Sequence, residues 1–413
     1  MLLSLALAFL CAMVLGWVMQ RLHLPALLGM LLTGVLLGPY AANLLDASIL
    51  GISSQLRQIA LIIVLTRAGL GMDFGALKRV GRPAVLLCFV PACFEIAGTV
   101  LLAPVLLGLS VVESAVLGAV IAAVSPAVVV PKMLRLTQEK RGTDKGIPQL
   151  IMAGASVDDV FVIVLFTAFT DMAAGQNFSV QQLLRIPTSI LLGAAAGTLC
   201  GLALAAFFTA RHMRDSVKVL ILLSVSFLLV SAEAYFTGAV GFSGLIAIVV
   251  YAAVLGRKVP AASARLSAKY AKLWVAAEPL LFVLVGAAVN PAAAWKTGAA
   301  AVLLIAGALV IRMMGVWVSM LKIPLSGKER LFCMAAYTPK ATVQAAIGGI
   351  PLAMGLACGD TVLSVAVLAI FLTAPWERLQ LTLWRRGFCT AMCSRKHKMF
   401  RLSGLRKTII LKN

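Results

Sequence analysis

Two aspartates, Asp158 and Asp159, stand side by side in the middle of the apolar run GASVDDVFVIVLF, residues 154–166. A charged side chain at the centre of a membrane helix costs about 3 kcal/mol on insertion scales, so the pair must be neutralised, solvated or both. Adjacent side chains on a helix diverge by about 100°, which lets one carboxylate be clamped by a cation while the other faces a cavity. A clamped carboxylate no longer carries protons, whereas its free neighbour can gain and lose one. The same free carboxylate suits a hard monovalent cation, which takes oxygen ligands. Hydroxyls such as Ser156 and Ser125, carbonyls of interrupted helices and water would complete such a site. If a proton and an alkali cation compete for one carboxylate, and only the neutralised site crosses the membrane centre cheaply, exchange of one for the other is obligatory.

The clamp has a natural candidate. Arg312 also lies in an apolar stretch, and a guanidinium keeps its proton and forks onto a carboxylate. At helical rise Asp159 is about 16 Å from the expected span end at Pro148, Arg312 about 15 Å from Lys322, and Lys340 about 18 Å from Lys328, so the three share a layer. Glu95 and Arg67 fall on consecutive spans joined by a short basic loop and are an expected pair. Glu278, near Lys272, reads as an interfacial ion pair, and His23, His212 and His397 fall in loops or the tail. An intramembrane aspartyl protease also buries two aspartates, but its carboxyls must face each other from different helices and share a proton; a pair on one helix argues against an enzyme.

These charges need elements that hold them at membrane depth. The chain has 413 residues, 62% of them hydrophobic and only 12% charged, a composition of polytopic membrane proteins and not of water-soluble domains. Apolar stretches of roughly 17 to 25 residues predict about thirteen membrane-spanning helices in an all-α fold. The first 20 residues lack a basic start and a small-residue cleavage site and read as a retained span. The net charge of +21 is a matter of placement. Of the 36 Lys and Arg, Arg57, Arg185 and Lys296 fall on one side, and Arg67, Arg312 and Lys340 fall within spans. The rest line the loops of the other side and the tail, the pattern of the positive-inside rule with the N-terminus out and the C-terminus in. The charge therefore orients the chain and meets anionic lipid at the inner leaflet; it calls for no nucleic acid. The eight cysteines are scattered without a CxxC pair and imply neither a disulfide frame nor a metal or cofactor site.

The two halves repeat. LIIVLTRAGLGMD ends span three, Glu95 sits in span four, and VSPAVVVP interrupts span five; LLFVLVGAAVN ends span ten, Arg312 sits in span eleven, and YTPKATVQAAIGG interrupts span twelve. The step from Gly69 to Glu95 equals the step from Gly286 to Arg312. An odd number of spans separates the halves, so their orientations are opposite. Inverted repeats with helices broken at matching positions, here Pro126 and the Thr338-Pro339 pair, mark a secondary transporter whose site lies where the breaks meet. Irregular backbone is tolerated there because protein or a water-filled cavity satisfies it. Crossed half-helices leave partial charges in the membrane: Lys340 is the expected partner for the carbonyl-rich ends and a carboxylate for the amide-rich ends.

With GASVDDV, VSPAVVVP, TPKATVQAAIG and the basic residue Arg312, the sequence resembles the cation:proton antiporter superfamily up to about residue 384. It is most similar to the Nha-type sodium/hydrogen antiporters of the eukaryotic-like exchanger group, where RAGLGMD and PKATVQAAIG have close counterparts. The resemblance implies an antiporter fold with two crossed broken helices. Core helices at about 83–171 and 297–383 would rock against dimerisation helices at about 1–73 and 217–290 through a linker helix at about 186–209, in a homodimer. Residues 385–413 would form a basic cytoplasmic tail. It further implies that Asp159 binds the ion and the proton, that Asp158 pairs with Arg312, and that Arg67 and Glu95 form a salt bridge. Electrogenic relatives carry lysine at the position of Arg312 and can release its proton; arginine cannot. The expected activity is thus electroneutral exchange of Na⁺ or Li⁺ for H⁺ in a bacterial cytoplasmic membrane. K⁺/H⁺ exchange is the nearest alternative, and a sodium-coupled organic-anion symporter is a more distant one.

Overall fold

The computed structural model describes residues 1–72, 81–139, 142, 145–174, 180–233, 235 and 241–375, and the predicted tail at 385–413 lies outside them. The described residues are all-helical and form a polytopic membrane protein. Helices α1 (Leu2–Arg21) and α2 (Ala26–Leu37) are followed by the short α3 (Ala47–Gly51) and by α4 (Ser53–Leu70). Next come α5 (Arg82–Leu87), α6 (Val90–Leu107), α7 (Val111–Ala122), α8 (Pro126–Gln138), α9 (Ile147–Ala174) and α10 (Val180–Ala210). The second half holds α11 (Asp215–Glu233), α12 (Gly244–Lys258), α13 (Pro260–Ala288) and α14 (Pro291–Ser319). It ends with α15 (Gly327–Ala336), α16 (Thr342–Ile347), α17 (Ile350–Ala353) and α18 (Gly359–Thr373). Six described helices are long and apolar enough to cross a membrane by length and composition, among them α1, α11, α13 and the combined Arg82–Leu107 segment.

The amphipathy is that of a chain whose solvent is oil. On α1 the buried stripe is Ser4, Ala8, Ala12 and Gly16 at successive helical turns, while Leu2, Leu3, Leu10 and Trp17 are exposed. Leu191 and Leu199 on α10, Leu228 on α11 and Leu303 on α14 likewise point outward. In lipid the outward face gains nothing from polarity, and helices associate through small residues that let backbones approach. On α10 Gly193, Gly197 and Gly201 lie one turn apart against the carbonyls of Ser243, Ala247 and Tyr251 at the start of and along α12, so α10 and α12 run parallel. Helices α6 and α14 run antiparallel: Gly98 meets Ile311, Leu102 meets Gly307, and Phe94 meets Gly315.

That antiparallel pair joins the two repeats. The helices of the first repeat unit, α5 to α9, pack among themselves and against α14 to α18, while α1, α2, α4, α12 and α13 pack on one another. Contacts between the two groups run chiefly from α16 to α4 and α13, and from α9 to α12. Both interrupted helices start with the same device: Ser110 and Ser326 are N-caps in capping boxes with Glu113 and Glu329, which satisfy the first orphan amides. The first helix stops at Ala122 and resumes at Pro126, and the second stops at Ala336 and resumes at Thr342.

The breaks lie against each other. Ser125 N donates to Pro339 O at 2.9 Å, the hydroxyls of Ser125 and Thr342 are 3.3 Å apart, and the Gln344 amide donates to Ala123 O at 2.8 Å. These bonds replace the intrahelical ones that each interruption forfeits.

The close α10–α12 contact yields a stability prediction. A Cβ at Gly197 would lie 2.5 Å from Ala247 O, so Gly197→Leu should wedge the helices apart. The expected loss is about 1–3 kcal/mol, read as a fall in the thermal unfolding midpoint of the detergent-solubilised protein. Gly298→Ala, where nothing lies within 4 Å of the added carbon, should leave the midpoint unchanged.

Candidate functional site

Helix α7 ends with carbonyls and helix α15 ends with carbonyls, in the same place and without helical partners. Arg312 of α14, fully buried, supplies the donors. Its Nε donates to Tyr337 O at 2.7 Å and its Nη1 donates to Ala122 O. The same guanidinium binds two acids: Nη1 donates to Glu95 Oε2 at 2.7 Å and Nη2 to Asp158 Oδ2 at 3.1 Å. The Tyr337 ring lies 5.8 Å from the guanidinium carbon. One side chain thus ties α6, α7, α9 and α15 to α14.

The amide-rich ends have their own partner. Val124 N, freed by the first break, donates to Asp158 Oδ2 at 2.9 Å. Opposite charge at each kind of terminus is what the helix dipole asks for. The expected cation at the carbonyl ends was Lys340, and here the structure differs. The Lys340 ammonium donates to Glu95 Oε2 at 2.7 Å, and Arg312 takes the carbonyls because its planar fork reaches several acceptors at once, which an ammonium on one stem does not. The Lys340 backbone N donates to Thr373 Oγ1 at 2.9 Å.

The expected pairing of Arg67 with Glu95 is also corrected. Glu95 is 1% exposed and held by Arg312 and Lys340. Arg67 lies on the exposed face of α4, where its charge acts on Glu278 of α13. The reason is packing: α4 lies on α12 and α13, while α6 lies on α7 and α14. Neighbouring spans in sequence are not neighbours in space here.

Asp158 and Asp159 are both buried, 0% and 7% exposed, but their surroundings differ. Asp158 uses Oδ2 for Arg312 and Val124, and its Oδ1 has no hydrogen-bond partner among the described residues. Asp159 Oδ1 is buried and unpartnered among them as well, and the charge of Asp159 lies in the field of Asp158, Arg312 and Lys340. Ser125 faces Thr342 at the crossing, and Thr338 folds its hydroxyl back onto Ala335 O at 2.8 Å. The side chains of Ser156 and Pro126 lie outside the described residues. The cluster holds three formal negative charges, Glu95, Asp158 and Asp159, against two positive ones, Arg312 and Lys340. One monovalent cation or proton balances it.

The site divides the apolar interior. On α9, Ile147, Leu150, Ile151 and Ala155, before the aspartates, belong to one hydrophobic cluster, and Val162, Ile163 and Phe166, after them, belong to another. On and just after α14, Val316 and Met320 fall in the first of these and Ala301, Leu304, Ile305 and Ala308 in the second, with Arg312 between. The second cluster continues without interruption into α1, α2, α4, α12 and α13; the first does not.

Gln344 and Thr342 hold the crossing and were not singled out by charge or spacing. Gln344 also accepts from Ala341 N at 2.9 Å. Their signal was the run PKATVQAAIG beside the break, in which two polar residues stand among small apolar ones. The Tyr337 hydroxyl is buried and unpartnered among the described residues, in space left open by Gly154, where an added Cβ would lie 1.9 Å from it.

Comparison with known proteins identifies the family. Residues 5–378 match the family model "Sodium/hydrogen exchanger, transmembrane". The sodium/hydrogen exchanger 9B2 of Homo sapiens is 36% identical over 364 residues, which are 85% of this chain and 67% of that protein. The human sodium/hydrogen exchanger 9B1 is 30% identical over 367 residues, 85% of this chain and 70% of the relative. The structure of the sodium proton antiporter MjNhaP1 from Methanocaldococcus jannaschii superposes with a TM-score of 0.78 at 20% identity, covering 92% of this chain and 95% of that one; that likeness is one of fold. By the extent of the family match and the identity to the human proteins, this integral membrane protein belongs to the sodium/hydrogen exchanger family.

Proposed function

We propose that the chain exchanges Na⁺, or Li⁺, for H⁺ across the membrane by alternating access, with cation and proton competing for Asp159. The observation that carries the reading is the charge balance of the buried cluster, three acids against two bases. Empty, the cluster carries one net negative charge in a medium that penalises it; loaded with either cargo, it is neutral. Only the loaded states then pass the membrane centre cheaply, and exchange is coupled. Asp158 is the fixed member of the pair, because Arg312 and Val124 occupy its Oδ2. Asp159 is the exchangeable one. Ser125, the freed carbonyls near the breaks and water would complete the shell of a bound cation.

Arg312 supports an electroneutral cycle. A guanidinium keeps its proton through the cycle, and Lys340 is engaged with Glu95 rather than with the aspartates. One cation therefore replaces one proton. The helices at about 83–171 and 297–383 would move as the transporting core against those at about 1–73 and 217–290, with 186–209 as linker. This reading is supported by the few elements that connect the groups. A homodimer would hold the second group still, and the basic loops would place the N-terminus outside and the C-terminus inside a cytoplasmic membrane.

The test is transport by the full chain in proteoliposomes that contain a pH-sensitive dye. Na⁺ or Li⁺ added to acid-loaded vesicles should dissipate the pH gradient, and Asp159→Asn should reduce the response to that of protein-free vesicles while the variant still elutes as a folded species. Coupled exchange that persists in Asp159→Asn would overturn the site. A second measurement addresses stoichiometry: wild type should show no dependence on an imposed membrane potential, and Arg312→Lys should acquire one. A variant that folds and stays voltage-independent removes the argument from Arg312.

A further inference from the structure

Arg57 stands at the start of the second turn of α4, outside the ion pairs of the cluster, and it is 7% exposed. Its Nε donates to Ser53 O of its own helix at 3.3 Å. Its Nη1 is buried with no hydrogen-bond partner, and no carboxylate lies within ion-pair range of it among the described residues. The head of the side chain rests on Gly349: a Cβ there would fall 1.8 Å from Nη1 and 2.9 Å from Cζ. Gly349 joins α16 to α17, and α16 is the part of the broken helix that packs on α4 and α13. Nη1 is thus enclosed in the seam between the two helix groups. The seam lies in the half of the molecule where one hydrophobic cluster runs through both groups, while the other half of the core has a cluster of its own.

A buried charge without a partner is costly, and the cost vanishes when water reaches it. In the same seam an apolar side chain would favour closure. We propose that Arg57 is a built-in opener of this seam: it is desolvated when α16 closes on α4 and hydrated when they part. It thereby keeps the closed state from becoming a trap and sets the balance between the two access states. The proposal rests on the alternating-access reading above. A hydrogen bond from Nη1 to the carbonyl end of α16 would have the opposite sign, but among the described residues Nη1 donates to no carbonyl, and the bond from Nε goes to α4 itself. Gly349 is the matching half of the device, since only a residue without Cβ leaves room for the guanidinium.

Hydrogen–deuterium exchange of the purified full chain in detergent tests this without reliance on transport. Arg57→Met should slow exchange in the peptides covering residues 53–60 and 342–350 several-fold, and Arg57→Lys should slow it less. Gly349→Ala, which displaces the guanidinium, should speed exchange in those peptides, and in an Arg57→Ala background the same change should have little effect. In proteoliposomes Arg57→Met should lower the maximal exchange rate more than it alters the cation concentration at half rate. Unchanged or faster deuterium exchange in Arg57→Met would overturn the proposal and make Arg57 an ordinary stabilising contact. Absence of any cation-dependent proton movement by wild type would instead overturn the transport reading, with the seam measurement still standing by itself.

Discussion

A single guanidinium at membrane depth organises this protein. Arg312 donates to the last carbonyls of two interrupted helices and to two carboxylates on two further helices. Each partner would be expensive alone in hydrocarbon, and each is made tolerable by the same group. Removing one member of a buried pair typically costs about 3–5 kcal/mol because the other is left uncompensated. The antiparallel contact of α6 with α14, through Gly98, Gly307 and Gly315, brings Glu95 and Arg312 together. The crossing of the breaks then presents Ala122 O and Tyr337 O to the same side chain. Packing by small residues and satisfaction of backbone groups are thus one construction.

The arrangement separates structural charge from working charge. Glu95, Lys340, Arg312 and Asp158 are tied to one another and to the backbone, with Asp158 Oδ1 left without a partner among the described residues. Asp159, one residue further along α9, takes no part in those ion pairs, and its Oδ1 has no partner among the described residues. In the proposed exchange the two acids on one helix divide two purposes between them, an anchor at Asp158 and a binding group at Asp159. The same layer is where the two hydrophobic clusters part, so the polar site also divides the core. The proposed alternating access would draw on both at one depth, a place to hold a charge and a plane on which closure can change sides.

The acid pair, the two proline-interrupted runs and the matched steps from Gly69 to Glu95 and from Gly286 to Arg312 were legible because each is a local departure from an apolar background. The all-helical fold followed from the apolar stretches, and the expectation of inverted halves from those departures. The partner of Glu95 was not legible. Arg67 and Glu95 stand on consecutive spans, and sequence proximity favoured their pairing; in space α4 and α6 belong to different helix groups. Lys340 meets Glu95 and not the carbonyl ends, since helical rise supplies position along an axis and azimuth comes only from packing. Gln344 and Thr342 carry no charge, and nothing but the crossing itself reveals that their side chains knit two breaks together.

By itself the sequence determined what must be buried in lipid, where helices must stop, and how many charges must be reconciled within the membrane, because hydropathy, proline and charge act locally along the chain. The tertiary structure alone decided which charge meets which. That choice depends on the antiparallel packing of α6 on α14 and on the crossing angle of the two breaks, set by contacts between residues more than 150 positions apart, such as Arg312 with Asp158. Local chemistry states the cost of each buried group, and only the packed geometry states what offsets it.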